Sequence, residues 1–491
     1  MKQRLHQCFA WLRERPGGHL VLQVLSMLLL VLLVLGFAAS AGAFSPHQTL
    51  PPFQAGSNGP ATQWYFAEGF TGTNFTEYLS WANFTATAAT LTVTYYFDTG
   101  ASPLVKTYAL PANTRSGVNV NTEVGSGHSV AIAVSSTQPI VVERPIYFNY
   151  SGAGGVPGGS DVVGATTLST SFHFGYLDTT AQHDSLLMIL NPSSSSMTVT
   201  AIYTPATGGA ATTVTHTVAA TSRGTITVNG DGGLAAGMYW AKVTLSTPGL
   251  VERVLYEHDT VTGYTGGSAV VGTAPQTDWY FAEGHTSALN SERYVLTNPS
   301  TTTVPVTLTF YPTGGSTFAN GAASLATQVT LAPGQQELLN VNTLLGTNEV
   351  DNSAWVHASQ AILAERVMSV ASVGPGLTDT VGTPTPCTQY AFAEGFTGSN
   401  FYEYLILFNP NSSTASVQVS YVPGGGSATV QTYSVPAHSR VGVFVNSVMP
   451  NQSLAMLVQV TSGPSIVAER PMYFNSGGDI GASSVVGAQT C

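Results

Sequence analysis

Trp64-Tyr65-Phe66-Ala67-Glu68-Gly69 is the stretch from which the fold is read. Its last four residues return as Phe281-Ala282-Glu283-Gly284 and as Phe392-Ala393-Glu394-Gly395, and a degraded copy stands at Phe174-Gly175-Tyr176. Seventeen residues after each Phe comes an asparagine (Asn83, Asn191, Asn298, Asn409), and twelve further on an aromatic (Tyr95, Tyr203, Phe310, Tyr421). Four copies that keep this 29-residue spacing without a gap are tandem repeats.

The residues before each aromatic alternate. Leu91, Val93 and Tyr95 share one face and Thr92 and Thr94 the other; Val417, Val419 and Tyr421 stand against Ser416, Gln418 and Ser420. A period of two with β-branched and aromatic residues predicts a half-buried strand, with a turn at the Asn-Pro steps 191–192, 298–299 and 409–410. The second half of the unit also recurs. Arg115, Arg223, Gln336 and Arg440 are each followed six residues later by an asparagine: Asn121, Asn229, Asn342 and Asn446. A later strand carries an adjacent pair, Glu143-Arg144, Glu252-Arg253, Glu365-Arg366 and Glu469-Arg470. Neighbours in a strand point to opposite faces, so Glu143 and Arg144 are not each other's partners. A Gly-rich turn and a segment such as Val162-Val163-Gly164 close the unit.

Units of about 105–110 residues with seven or eight short strands and no helical period predict an all-β chain of four tandem immunoglobulin-like β-sandwich domains after an N-terminal apolar helix. The divisions fall at 1–43 (signal peptide or membrane anchor), 44–61 (linker), 62–167, 168–275, 276–385 and 386–491. A propeller is the competing architecture, but its repeats of ~40–50 residues are far shorter.

The chain has 491 residues, of which 8% are charged, 43% hydrophobic and 10% aromatic. Polarity carried by Thr, Ser, Asn and Gly with this much apolar content suits packed β domains and not disorder. Lys2, Arg4, Arg13 and Arg15 precede an apolar run from about Leu20 to Ala39, with small residues after it at Ala41-Gly42-Ala43. Basic residues ahead of such a run hold that end inside and send the body outward. The small residues fit a cleavage site, while a run of about 20 residues is also long enough to span a bilayer. The acidic, lysine-poor body excludes a basic nucleic-acid stripe. It leaves the N-terminal segment as the expected contact with a membrane. Cys387 and Cys491 lie in the exported part, where a disulfide persists, one at the entrance and one at the exit of the last repeat. A returning eighth strand would bring them together.

The hexapeptide at 64–69, together with Glu469-Arg470-Pro471-Met472-Tyr473-Phe474 and Asp161-Val162-Val163-Gly164, resembles a family of tandem extracellular "WYFAEG"-type repeat proteins from actinobacteria and Chloroflexi-type bacteria. The resemblance covers nearly everything after residue 61 and weakens in the second copy. It implies a surface or envelope setting and adds no catalytic residues.

The candidate structural residues are Glu68, Glu283 and Glu394, the four Glu-Arg pairs, and Asn83, Asn191, Asn298 and Asn409. Glu68, Glu283 and Glu394 with Glu143 and its counterparts would make an acid/base couple, but the second copy lacks one of the carboxylates. Bracing of strands and turns is therefore the favoured role. Seven of the eight arginines after residue 43 hold repeat positions, Arg293 being the exception. In so uncharged a chain this regularity points to structural forks. No histidine recurs, so a zinc site or a Ser-His-Asp triad would have to bridge copies. Gly158-Gly159 opens no helix and is no phosphate loop. The expectation is an exported, non-catalytic structural or adhesive protein with no cofactor, with envelope polysaccharide or other surface proteins as candidate partners. The alternatives are a carbohydrate-binding array using Trp64, Trp279 and Tyr390, and a secreted hydrolase.

Overall fold

The structure is a computed structural model that describes residues 59–98, 100–151, 155–258, 265–476 and 479–491. The apolar N-terminal segment and most of the linker lie outside the described residues. Among the described residues no helix is long and apolar enough to cross a membrane.

The chain is nearly all β, built of curled antiparallel sheets. The first repeat comprises β1 (Ala61–Phe66), β2 (Phe75–Asn83), β3 (Ala89–Phe97), β4 (Leu104–Leu110), β5 (Thr114–Asn119), the short helix α1 (Val120–Val124), β6 (Val130–Tyr150) and β7 (Val156–Val163). β3 alternates as its sequence requires, with Leu91, Val93 and Tyr95 fully buried. The 21-residue β6 organises the unit. Its first half pairs with β1 and β3, its second half with β2 and β7. One strand thus passes through both layers, and Trp64, Phe66, Leu79, Leu91, Ile132 and Val142 fill the space between them.

The asparagines end β2 and its equivalents. Asn83 Nδ2 donates to Thr87 O (2.8 Å) and Pro111 O (3.1 Å), while its Oδ1 accepts from Thr85 N (2.9 Å) and Thr85 Oγ1 (2.7 Å). Asn191, Asn298 and Asn409 tie their turns the same way and are likewise fully buried. A buried amide is tolerated because its groups are matched.

The repeats do not form an open string. The described residues from 59 to 491 fall in one compact unit, and hydrophobic clusters cross from copy to copy. Phe75 and Phe148 join the core of the second repeat, and Ala391, Ala393 and Leu457 of the fourth join that of the first. β7 and its equivalents, Thr265–Val271, Gly376–Val381 and Asp479–Val486, pair with their own long strands. Their other sides abut the next copy. Ala269 N donates to Ser160 Oγ and Asp379 N to Ser268 Oγ, each at 3.0 Å. Gly158 lies inside β7 and not in a turn, as do Gly266, Gly376 and Gly481 in the equivalent strands. A Cβ on Gly376 would sit 2.8 Å from Ala482 N, and one on Gly481 2.8 Å from Gly159 N. Backbones this close leave room only for hydrogen, and the second contact closes the ring from the last repeat to the first.

Cys387 and Cys491 are disulfide-bonded, with Cα atoms 4.2 Å apart. A final strand, Ala488–Thr490, returns to pair with Gln389–Phe392 and brings the exit of the last repeat beside its entrance.

Candidate functional site

The charged residues of the repeats meet at the four seams between successive copies, called 1–2, 2–3, 3–4 and 4–1. At seam 1–2, Glu252 accepts from Ala67 N (2.9 Å) and Glu68 N (3.3 Å) and pairs with Arg144 Nη1 at 2.8 Å. Arg144 also donates to Glu68 O at 2.5 Å and lies 5.7 Å from the Phe66 ring centroid. The arrangement repeats with Arg253–Glu365 (2.8 Å), Arg366–Glu469 (2.9 Å) and Arg470–Glu143 (3.0 Å). Each adjacent Glu-Arg dipeptide therefore reaches two different neighbours, as opposite strand faces require.

The motif glutamates form a second set. Glu68 lies 3.6 Å from Arg223, Glu283 pairs with Arg440 at 2.9 Å and Glu394 with Arg115 at 2.7 Å. Seam 2–3 lacks this couple on both sides at once. Tyr176 stands where the glutamate would be, and Gln336, opposite Thr297 as Arg115 is opposite Ala82, replaces the arginine. Gln336 Nε2 donates to Gly175 O instead, at 2.5 Å. The off-register Arg293 reaches Glu257 across this same seam at 3.4 Å. The eight body arginines thus divide two to a seam. Asp161 pairs with Arg470 and Asp379 with Arg253. Ala269 holds the corresponding place at seam 1–2, and Arg144 Nη2 there has no hydrogen-bond partner.

A further set of acids escaped sequence reasoning. Glu77, Glu292 and Glu403 stand eleven residues after each motif Phe, where the second copy has Ser185. All three are fully buried. Burial raises Glu77 to about 8, against the pull of Arg144; Glu403 to about 8, against Arg470; and Glu292 to about 7, against Arg366. They explain the motif glycine. A Cβ on Gly69, Gly284 or Gly395 would come within 2.8 Å of the Oε1 of Glu77, Glu292 or Glu403. The second copy loses glycine and glutamate together, with Leu177 and Ser185 in their places.

Glu68 and Glu143 of one copy lie in different seams; the acid beside each of Glu68 and Glu394 comes from the neighbouring copy, with Glu68 N donating to Glu252 at 3.3 Å and Glu394 N to Glu143 at 3.2 Å. Trp64, Trp279 and Tyr390 are buried and donate to the carbonyls of Ile140, Ile362 and Ile466 at 3.0, 3.0 and 2.7 Å, which removes them as stacking platforms. Among the described residues no group of three or more His, Cys, Asp and Glu is placed to hold a metal.

Two of the cavities among the described residues bear on function. A pocket of about 150 Å³ on the ring axis is lined by all four copies, with Val163, Val271, Val381 and Val486 among its walls. A larger one of about 560 Å³ lies at seam 4–1, bordered by Tyr78, Ser80, Arg115, Tyr147, Glu394 and Phe401.

No family model matches the chain, and no curated protein matches it. Among solved structures, a Thermotoga maritima protein 15% identical is matched over 21% of this chain and 93% of its own, with a TM-score of 0.20. The Anabaena sensory rhodopsin transducer is 22% identical over 17% of this chain and 95% of its own, with a TM-score of 0.16. A tetra-tandem repeat from the extending region of a large adhesion protein is 12% identical over 84% and 95%, with a TM-score of 0.10. Likenesses at these scores carry no argument.

Proposed function

We propose that the chain is an exported, non-catalytic protein of the cell surface or envelope, with a structural or adhesive role. The observation that supports this most is the placement of the arginines, two to each seam, with the inner pairs fully buried. Buried ion pairs add little net stability, but they reject wrong neighbours, because an unpaired buried charge is costly. The repeated charged residues serve registration of one copy on the next. The basic flank and apolar run at the N-terminus support export, by a cleaved leader or a retained anchor. The cysteine pair suits an oxidising compartment. We read each repeat as immunoglobulin-like from its size and strand number, although the strand shared by both layers departs from that pattern.

Protease added to intact cells tests the reading. Loss of the body while cytoplasmic proteins persist is the expected result, and full protection in a permeable envelope contradicts it. A second reading, binding of envelope polysaccharide, is favoured by the large pocket at seam 4–1.

A further inference from the structure

The four seams share the buried Arg–Glu pair but differ in what covers the outward sheet face beside the position of the second pair, formed by Arg115 and Glu394 at seam 4–1. In β2 and β5 of the first repeat, Ser80 lies opposite Gly117. The equivalent cross-strand pairs are Met188 with Thr225, Val295 with Leu338, and Ile406 with Gly442. Three copies place an apolar side chain here. At seam 1–2 Met188 Sδ lies 2.9 Å from Arg223 Nη2, and Val295 and Ile406 are buried in apolar clusters at seams 2–3 and 3–4. The first copy has a hydroxyl facing a bare glycine, and the pocket of about 560 Å³ opens above that pair. This lies within the range of about 300–1,000 Å³ typical of small-molecule sites.

The walls define the chemistry. Glu394 Oε2 accepts from Arg115 Nη2 at 2.7 Å and from Ser80 Oγ at 2.5 Å. Arg115 and Glu394 cancel one another's charge, so the pocket favours neither an anion nor a cation. Guanidinium and carboxylate side by side offer donors next to acceptors, the complement of adjacent hydroxyl groups, which both give and receive. Tyr78, 38% exposed, stands edge-on to Tyr147 with ring centroids 6.2 Å apart, and Tyr147 is set edge-on to Phe401 at 6.2 Å. These rings supply apolar surface for the C–H face of a ligand. A wholly apolar guest would strip water from the ion pair without replacing its hydrogen bonds.

We propose that this pocket binds a neutral saccharide unit, gripped through adjacent hydroxyls by Arg115 and Glu394 and packed against Tyr78. Residues of the last and first repeats both contribute, so the site exists only in the closed ring. The proposal deepens the second reading and rests on it; soluble sugars test it in solution whatever the cellular location, so its failure leaves the envelope reading standing.

The experiment is saturation-transfer NMR on the full chain with cellobiose, lactose, mannobiose and N,N′-diacetylchitobiose, and glucuronic acid as the charged comparison. At least one neutral disaccharide should bind and outcompete glucuronic acid. Ser80→Met, which installs the residue of the second copy, should weaken that binding at least tenfold while the melting temperature holds. Tyr78→Ala, altering an exposed ring, should do the same. Absence of binding by all four neutral sugars, preference for glucuronic acid, or unchanged binding in both variants overturns the proposal.

Discussion

Arg470 of the last repeat donates to Glu143 of the first at 3.0 Å, across 327 residues of sequence, in a site with no solvent exposure. Glu143 also accepts from Ala393 N at 2.8 Å and Glu394 N at 3.2 Å. Arg470→Ala would leave that carboxylate buried without its counter-charge. The expected cost is about 3–5 kcal/mol, the usual penalty for breaking a buried pair from one side. Urea denaturation checks it. A loss below about 1 kcal/mol, the level of an exposed pair, would contradict the assignment.

The coordinated departure at seam 2–3 invites a double-mutant cycle. Tyr176→Glu alone should destabilise by burying an unpaired carboxylate, and Gln336→Arg alone by burying an unpaired guanidinium. The double variant should recover about 1 kcal/mol or more of the summed loss. Strict additivity would mean that the two positions do not face each other.

Stability should fall as pH rises from about 4.5 to 8. Glu77 and Glu403 are raised to about 8 and Glu292 to about 7. Below the ordinary glutamate value both folded and unfolded chains keep these protons and no penalty arises. Above it the unfolded chain releases them while the folded chain retains them, so unfolding gains until the folded values are passed. Glu77 faces Arg144, Arg223, Glu68 and Glu252; Glu403 faces Arg470, Arg115 and Glu394. Melting curves at pH 5 and pH 8 should differ by several degrees, and Glu77→Gln with Glu403→Gln should flatten the dependence. An unchanged slope in the double variant would count against neutral carboxyls.

Reduction of Cys387–Cys491 should destabilise the last repeat. The bond closes a separation of 104 residues, worth up to about 4–5 kcal/mol in the chain-entropy account. Calorimetry with and without reductant reads it, and identical melts would show that the pairing of Gln389–Phe392 with Ala488–Thr490 suffices.

Much of the unit was legible because its signals are local. Period two placed the strand around Leu91 and Val93, the Asn positions marked the ends of β2 and its equivalents, and Val485-Val486 read as a strand returning antiparallel along the one before it, as Asp479–Val486 does. The opposite faces of Glu143 and Arg144 required different partners. That those partners belong to neighbouring copies was not readable, because no local pattern distinguishes a string of repeats from a closed ring. The signal lay in paired departures, Tyr176 with Gln336 and Leu177 with Ser185, which carry meaning only once the seams are known. Glu77 carried a signal of its own, because the period of two that turns Phe75 and Leu79 inward puts Glu77 on the same face. Here it points inward, against Gly69.

The central claim is that the last repeat closes on the first. Small-angle scattering of residues 50–491 tests it most directly. A ring folded as one compact unit should give a radius of gyration of about 22 Å, the scaling value for a globule of this length. Four repeats strung end to end would give ~35 Å or more, and that result would contradict the account.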